Sequence, residues 1–140
     1  MLTRYALELE EVQKAIAAGL ATARENGWDV TVAVVDAGGY PILLARMDNA
    51  SPSSVATAIG KAQTAALIGI PTKLVEAMVR DRPALLSMNR VAVEGGVPIL
   101  FQGQKLGGIG VSGVQSFQDA EVAQAALAAI ESLFAGQEAP

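Results

Sequence analysis

The chain of 140 residues contains no cysteine and no histidine. Without cysteine it can form no disulfide, no thiolate metal site and no cysteine nucleophile. Without histidine it can form neither a Ser-His-Asp triad nor the usual zinc sites, and it lacks the residue that most often holds haem iron. The sequence therefore predicts no metal site and excludes several common kinds of catalysis.

Charged residues and long apolar runs are also scarce. Only 17% of the residues are charged, the formal net charge is −4, and 51% are hydrophobic. An acidic balance disfavours nucleic acid as a partner, and the apolar content excludes a disordered chain. Polar residues interrupt each apolar run before about 18 residues, so no membrane partner is expected. The first residues do not resemble a signal peptide, and together with the lack of cysteine this favours the cytoplasm.

The few charges that are present are unevenly distributed. Residues 1–60 hold four basic and seven acidic residues, residues 61–105 hold six and three, and residues 106–140 hold none and four. The middle segment, which we call the basic segment, contains Lys61, Lys73, Arg80, Arg82, Arg90 and Lys105. Such a segment suits the binding of a small anion, although cations spread over a solvated surface would give the same pattern.

The periodic segments predict one domain over residues 1–140. Helices are predicted over residues 8–26, 51–69, 72–79, 84–88 and from 116 onward, and strands over 29–36, 40–47, 97–101 and 105–112. Residues 136–140 are predicted to be a frayed tail. The strands come in pairs joined by glycine-containing turns, as in antiparallel hairpins.

The predicted fold class is α+β, with an antiparallel sheet covered by helices. Each long helix has one apolar face that a sheet can cover. The face of the second helix is mostly alanine, which lets a helix lie close to its neighbour. Extensive apolar surface on so small a chain favours a homo-oligomer.

Two residues are candidates for proton transfer. Lys61 lies in the alanine-rich helix, where its side chain either reaches solvent or points into a cleft. Glu94 is the only acid between Asp81 and Asp119. Gly95 and Gly96 follow it and would let the backbone approach a ligand closely. If Glu94 is partly buried near Lys61 or Arg90 it could act as a general base or orient a cation, whereas a solvated loop carboxylate is the simpler interpretation.

Two further stretches favour a structural interpretation. Ser116 followed three residues later by Asp119 resembles a helix capping box, whose negative charge would repel an anion from that helix start. The glycine-rich run at 107–113 lacks the Gly-Lys-Ser/Thr ending of a P-loop and has no parallel βαβ unit around it.

Five motifs taken together resemble the GlcG/HbpS-like haem-degrading family, to which the C-terminal domain of PduO-type proteins is related. The resemblance covers nearly the whole chain, in the expected order. The motifs are AVVDAGGYPILLARMDNA (33–50), AIGKAQTAA (58–66), EGGVPIL (94–100), GGIGVSG (107–113) and QDAEVAQAAL (118–127).

This resemblance implies a profilin-like α/β/α sandwich that assembles into homo-oligomers and has a small-molecule pocket near the sheet and the subunit interfaces. Haem is one ligand that it implies, but this chain has no histidine or cysteine to ligate iron. Iron would need a less usual oxygen or amine ligand or one of a few other side chains, namely Tyr5, Tyr40, Met47, Met78 or Met88. The sequence therefore assigns no cofactor, and haem is a candidate without a histidine or cysteine ligand.

Three functions stay open. The first is a binding protein for haem or another small organic anion, in which Arg46 and Arg90 meet carboxylates beside Met47, Gly95 and Gly96. The second is a metal-independent enzyme of the isomerase or lyase type, in which Lys61 or Glu94 moves a proton of a small organic acid. The third is a structural oligomer without a ligand.

Overall fold

The computed structural model describes residues 1–137, which form three layers. The helices are α1 (Leu9–Asn26), α2 (Ser54–Ile68), α3 (Thr72–Asp81) and α4 (Ser116–Phe134), with a 3₁₀ helix at Pro83–Met88. The strands are β1 (Thr31–Asp36), β2 (Pro41–Arg46), β3 (Gly96–Phe101) and β4 (Gln104–Ser112). Of the predicted tail, Gly136 and Gln137 are exposed, and residues 138–140 lie outside the described residues. Within residues 1–137 no helix is both long and apolar enough to cross a membrane.

The four strands form one antiparallel sheet in the order β2-β1-β4-β3. The two predicted hairpins are joined because β1 pairs with β4, which puts the two most buried strands at the centre. On one face α1 and α4 pack against each other and against the sheet, and α2 covers the other face. The predicted α+β class, an antiparallel sheet covered by helices, is confirmed.

The two faces of the sheet are packed differently. Val12 and Ile16 of α1 meet Val122 and Ile130 of α4 and the apolar side chains of the sheet in one large core. On the α2 face the buried apolar cluster is small, because helix and sheet are nearly in backbone contact. Because these two layers are packed so closely, the residues that α2 and β4 carry have little freedom to move.

Glycines in β4 make this close approach feasible. A Cβ atom added at Gly108 would collide with the carbonyl oxygen of Ala62, and one added at Gly110 would collide with that of Ala58. The glycine-rich run is therefore a strand interior on which α2 lies, and the alanine face predicted for α2 lies against it.

The predicted start of α2 and the predicted cap of α4 are wrong, whereas α4 begins at Ser116 as predicted. Residues 51–53 form a turn in which Ser51 O accepts the N–H of Ser54, so α2 begins only at Ser54. The N-cap of α4 is Gln115, which forms a reciprocal capping box with Gln118. Ser116 and Asp119 do not cap this helix, because Ser116 is already helical and Asp119 faces the interior.

Candidate functional site

Lys61 is the largest fully buried side chain of the described residues, with 2% of its surface exposed. Its ammonium group donates hydrogen bonds to Val111 O at 2.9 Å and to Asp119 Oδ2 at 3.1 Å. The sequence predicted a lysine that reaches solvent or points into a cleft. The structure corrects this: Lys61 points inward from α2 and forms a buried ion pair with Asp119 of α4.

Gly95 leaves the space that this ion pair occupies, and Gly96 leaves space for the backbone of Lys61. A Cβ atom at Gly95 would lie 2.8 Å from the Lys61 Nζ and 3.1 Å from the Asp119 Cβ. Gly95 also has a φ of +129°, a backbone conformation that residues with a side chain rarely adopt. One hydrogen bond joins Val111 N–H to Gly95 O, and the carbonyl of Val111 accepts from Lys61. Gly95 therefore lies beside the Lys61 ammonium, and Gly96, the first residue of β3, lies against the Lys61 carbonyl.

Asp119, which the sequence predicts as a helix cap, is instead buried beside Lys61. Only 2% of it is exposed, and its second oxygen accepts the N–H of Val114 at 3.1 Å. Burial raises the pKa of the Asp119 carboxyl above its ordinary value, and the Lys61 charge and these hydrogen bonds lower it only in part. A signal was available, because Asp119 precedes the buried Val122 and Ala123 by three and four residues. A carboxylate on that stripe requires a buried cation.

Glu94 lies apart from this pair. Its side chain is 17% exposed, and its carboxylate is 4.0 Å from the ammonium of Lys73, which is itself largely exposed. Glu94 is partly buried, as the interpretation as a base required, but its neighbouring cation is Lys73 rather than Lys61 or Arg90. Proton transfer by Lys61 or Glu94 stays a prediction, and in this arrangement a substrate reaches Glu94 more readily than Lys61.

Arg90 lines a second place, an apolar pocket of about 200 Å³ between the end of α2, α3 and the 3₁₀ helix. The loop that carries it is held on α2, since the N–H of Val91 donates to Thr64 Oγ1 at 3.1 Å. Gly60 allows this contact, because a Cβ atom there would collide with Val91. The other residues lining the pocket are apolar, namely Ile68, Val75, Met78, Val79, Leu85 and Met88. We call this the α3 pocket.

Arg46 and Met47 belong to a third place, a cleft of about 410 Å³ at the end of β2. The sulfur of Met47 accepts the N–H of Val30 at 3.4 Å. Because Glu94 also lies apart from the buried pair, the seven predicted site residues are distributed over four places, and they do not share one hollow within the described chain. The basic segment is dispersed as well, since the ammonium of Lys105 donates to Leu67 O at the surface.

Of the side chains that could ligate haem iron, some already make contacts within the protein and others line a pocket. Tyr5 contacts the ring of Phe101 edge-on, and its hydroxyl donates to Gln102 at 3.4 Å. Met78 and Met88 are the remaining thioethers that lie beside an arginine in a pocket. At 200 Å³, however, the α3 pocket is below the roughly 300–1,000 Å³ that encloses drug-sized ligands. The two methionine sulfurs and the guanidinium of this pocket suit the edge of a haem, but the pocket is too small for the whole group.

Comparison with known proteins decides the family. A family model described as haem degrading protein HbpS-like matches residues 7–128. The chain belongs to the HbpS-like family. Protein GlcG of Escherichia coli K12 is 41% identical over 114 residues, which are 80% of this chain and 85% of that protein.

Solved structures of HbpS-like proteins share the fold. A double mutant of HbpS from Streptomyces reticuli matches with a TM-score of 0.87 and 32% identity, covering 91% of this chain and 89% of that one. PduOC, solved as a complex with haem, matches with a TM-score of 0.83 and 29% identity, covering 89% and 95%. The resemblance to the GlcG/HbpS-like family that the five motifs indicated is confirmed, and a link to haem is shown for the family.

Proposed function

We propose that this HbpS-like protein binds a small organic anion with an apolar body, and that the α3 pocket is its site. The observation that carries the proposal is one guanidinium, that of Arg90, in the lining of an otherwise apolar pocket. Apolar walls with a single oriented polar group are typical of small-molecule sites. The apolar body would lie against Val75 and Val79, and the carboxylate would accept hydrogen bonds from Arg90.

The energetic terms favour a ligand with both parts. Each buried methylene contributes about 0.8 kcal/mol, so affinity should rise with the length of the apolar body until the pocket is full. A hydrogen bond to a charged group contributes about 1.5–3 kcal/mol when its partner is removed from water. Arg90 is only partly buried, so the lower end of that range applies.

Calorimetric titration with straight-chain monocarboxylates tests this proposal. Hexanoate should bind more tightly than propanoate and than the neutral hexanamide. In Arg90→Gln the preference for hexanoate over hexanamide should fall by about tenfold. Arg4→Gln is the matched control, since Arg4 is exposed and does not line the α3 pocket. Equal binding of hexanoate and hexanamide by the unmodified protein would contradict the proposal.

Haem is a second candidate ligand. The haem complex of PduOC supports it, and Met78 and Met88 could ligate the iron of a haem whose edge lies at the α3 pocket, since the pocket is too small to enclose the whole group. An absorbance titration with hemin should then show a Soret shift that is lost when Met78 and Met88 are both replaced by Leu. An undiminished shift in that double variant would exclude ligation by these two sulfurs.

We also propose that the protein is a homo-oligomer. Large apolar side chains remain exposed outside the α3 pocket, with Leu9 at 52%, Tyr40 at 73% and Phe117 at 57%. Contacts between subunits commonly cover such side chains. Light scattering after size exclusion should give a multiple of 14.4 kDa, and the mass of one chain at micromolar concentration would contradict this.

A further inference from the structure

The cleft that contains Arg46 and Met47 differs chemically from the α3 pocket. It lies where the end of α1, the start of β1, the end of β2 and the loop after β2 come together. Its volume of about 410 Å³ is within the range of small-molecule sites. The residues lining it are Leu20, Arg24, Asp29, Ala45, Arg46, Met47, Asp48 and Asn49, and none of them lines the α3 pocket. We call it the β2 cleft.

Four charged groups of both signs line the β2 cleft. They are the guanidinium groups of Arg24 and Arg46 and the carboxylates of Asp29 and Asp48. None of the four takes part in the ion pairs within 4.0 Å that residues 1–137 contain. Elsewhere on the surface, in contrast, exposed lysines do pair with glutamates, as at Lys14. The charges of the β2 cleft are therefore available to a ligand.

The backbone that carries these charges is well fixed. Arg46 lies opposite Thr31 in the pairing of β1 with β2, and the next residue, Met47, donates its N–H to Val30 O at 3.1 Å. Arg24 lies in the last turn of α1, which ends at a left-handed Gly27. A fixed frame lowers the entropy that a ligand must remove on binding.

The combination of charges selects a ligand that carries both signs. A simple anion attracted by the two arginines would be repelled by the two aspartates. A simple cation attracted by the two aspartates would be repelled by the two arginines. The end of α1 adds a partial negative charge, which favours a cationic group near Asp29 and Asp48. A zwitterion satisfies all of these groups at once.

We propose that the β2 cleft binds a free α-amino acid. Its carboxylate accepts hydrogen bonds from Arg24 and Arg46, and its ammonium group donates to Asp29 and Asp48. The side chain of the ligand contacts Leu20 and Ala45, the apolar part of the lining. Because no residue is shared with the α3 pocket, this proposal does not depend on the anion site there.

Calorimetric titration of the intact protein with the common free amino acids tests the proposal. The tightest-binding amino acid is then compared with its N-acetyl derivative, which lacks the positive charge, and with its amide, which lacks the negative charge. Each derivative should bind at least about tenfold more weakly. Absence of binding by every amino acid at millimolar concentration would overturn the proposal, and so would a derivative that binds as well as its parent.

Variants separate the two signs of charge. Arg46→Gln should remove the discrimination against the amide, and Asp48→Asn should remove the discrimination against the N-acetyl derivative. Lys14→Gln, an exposed change on α1 outside the cleft, should change neither. Amino-acid binding should also persist in Arg90→Gln, which distinguishes this site from the α3 pocket. Binding that is unchanged in both cleft variants would overturn the assignment.

Discussion

The interior beside Gly95 and the β2 cleft both contain groups of opposite charge, but they use them differently. In the interior, the ammonium of Lys61 and the carboxylate of Asp119 are 3.1 Å apart, and the two side chains are only 2% and 3% exposed. In the β2 cleft, four charged groups remain without a partner within 4.0 Å in the described chain. Buried charges must be paired within the protein, whereas exposed charges can stay unpaired until a ligand binds.

Breaking the buried pair should have the largest effect. Lys61→Met leaves the Asp119 carboxylate buried without its cation and should lower the free energy of unfolding by about 3–5 kcal/mol. The double variant Lys61→Met with Asp119→Leu should recover most of this loss, because no uncompensated charge remains. Urea unfolding measures both. A single variant within about 0.5 kcal/mol of the unmodified protein would contradict the structural role given to the pair.

The contact of α2 with the sheet should give the next largest effect. Gly110→Ala places a methyl group against the carbonyl oxygen of Ala58 and should cost about 1–3 kcal/mol by overpacking. Gly136→Ala is the control, since the nearest atom to its added methyl group lies at an ordinary contact distance of 3.9 Å. Equal stability of the two variants in thermal unfolding would show that the layers can separate at no cost.

Removing an exposed charge should affect binding more than folding. Arg46→Gln should change the free energy of unfolding by less than about 0.5 kcal/mol, because Arg46 is exposed and has no ion-pair partner within the described residues. Urea unfolding of this variant beside Lys61→Met gives a direct measure of the contrast. A loss comparable to that of Lys61→Met would mean that the β2 cleft is part of the stabilising framework.

The pH dependence of stability should give the smallest effect. Burial raises the folded-state pKa of Asp119 above its ordinary value of 3.8. The folded protein therefore binds this proton at higher pH than the unfolded chain does, and the resulting stabilisation is complete below 3.8 and lost as pH rises through the raised pKa. Relative to Asp119→Asn, the unmodified protein should gain stability as pH falls through that window. A difference that is independent of pH would contradict the raised pKa.

Local patterns predicted the elements better than they predicted the site. The strands and the alanine face of α2 followed from periodicity, because that signal depends on near neighbours in sequence. The cap of α4 was assigned to the wrong residues because Ser116 with Asp119 and Gln115 with Gln118 offer two overlapping capping patterns. Arg46 and Arg90, both predicted to meet one ligand, line separate places of the described chain, since charge along the sequence does not show which way each side chain points.

The sequence by itself determined the order of the elements, the family and the absence of histidine and cysteine ligands, all of which are properties of residue type and local spacing. Only the tertiary structure decided that Lys61 meets Asp119, 58 residues away, and that Arg46 and Arg90 lie in separate places. Such pairings depend on how layers stack and on how closely glycine lets them approach. That information arises only when distant parts of the chain pack together.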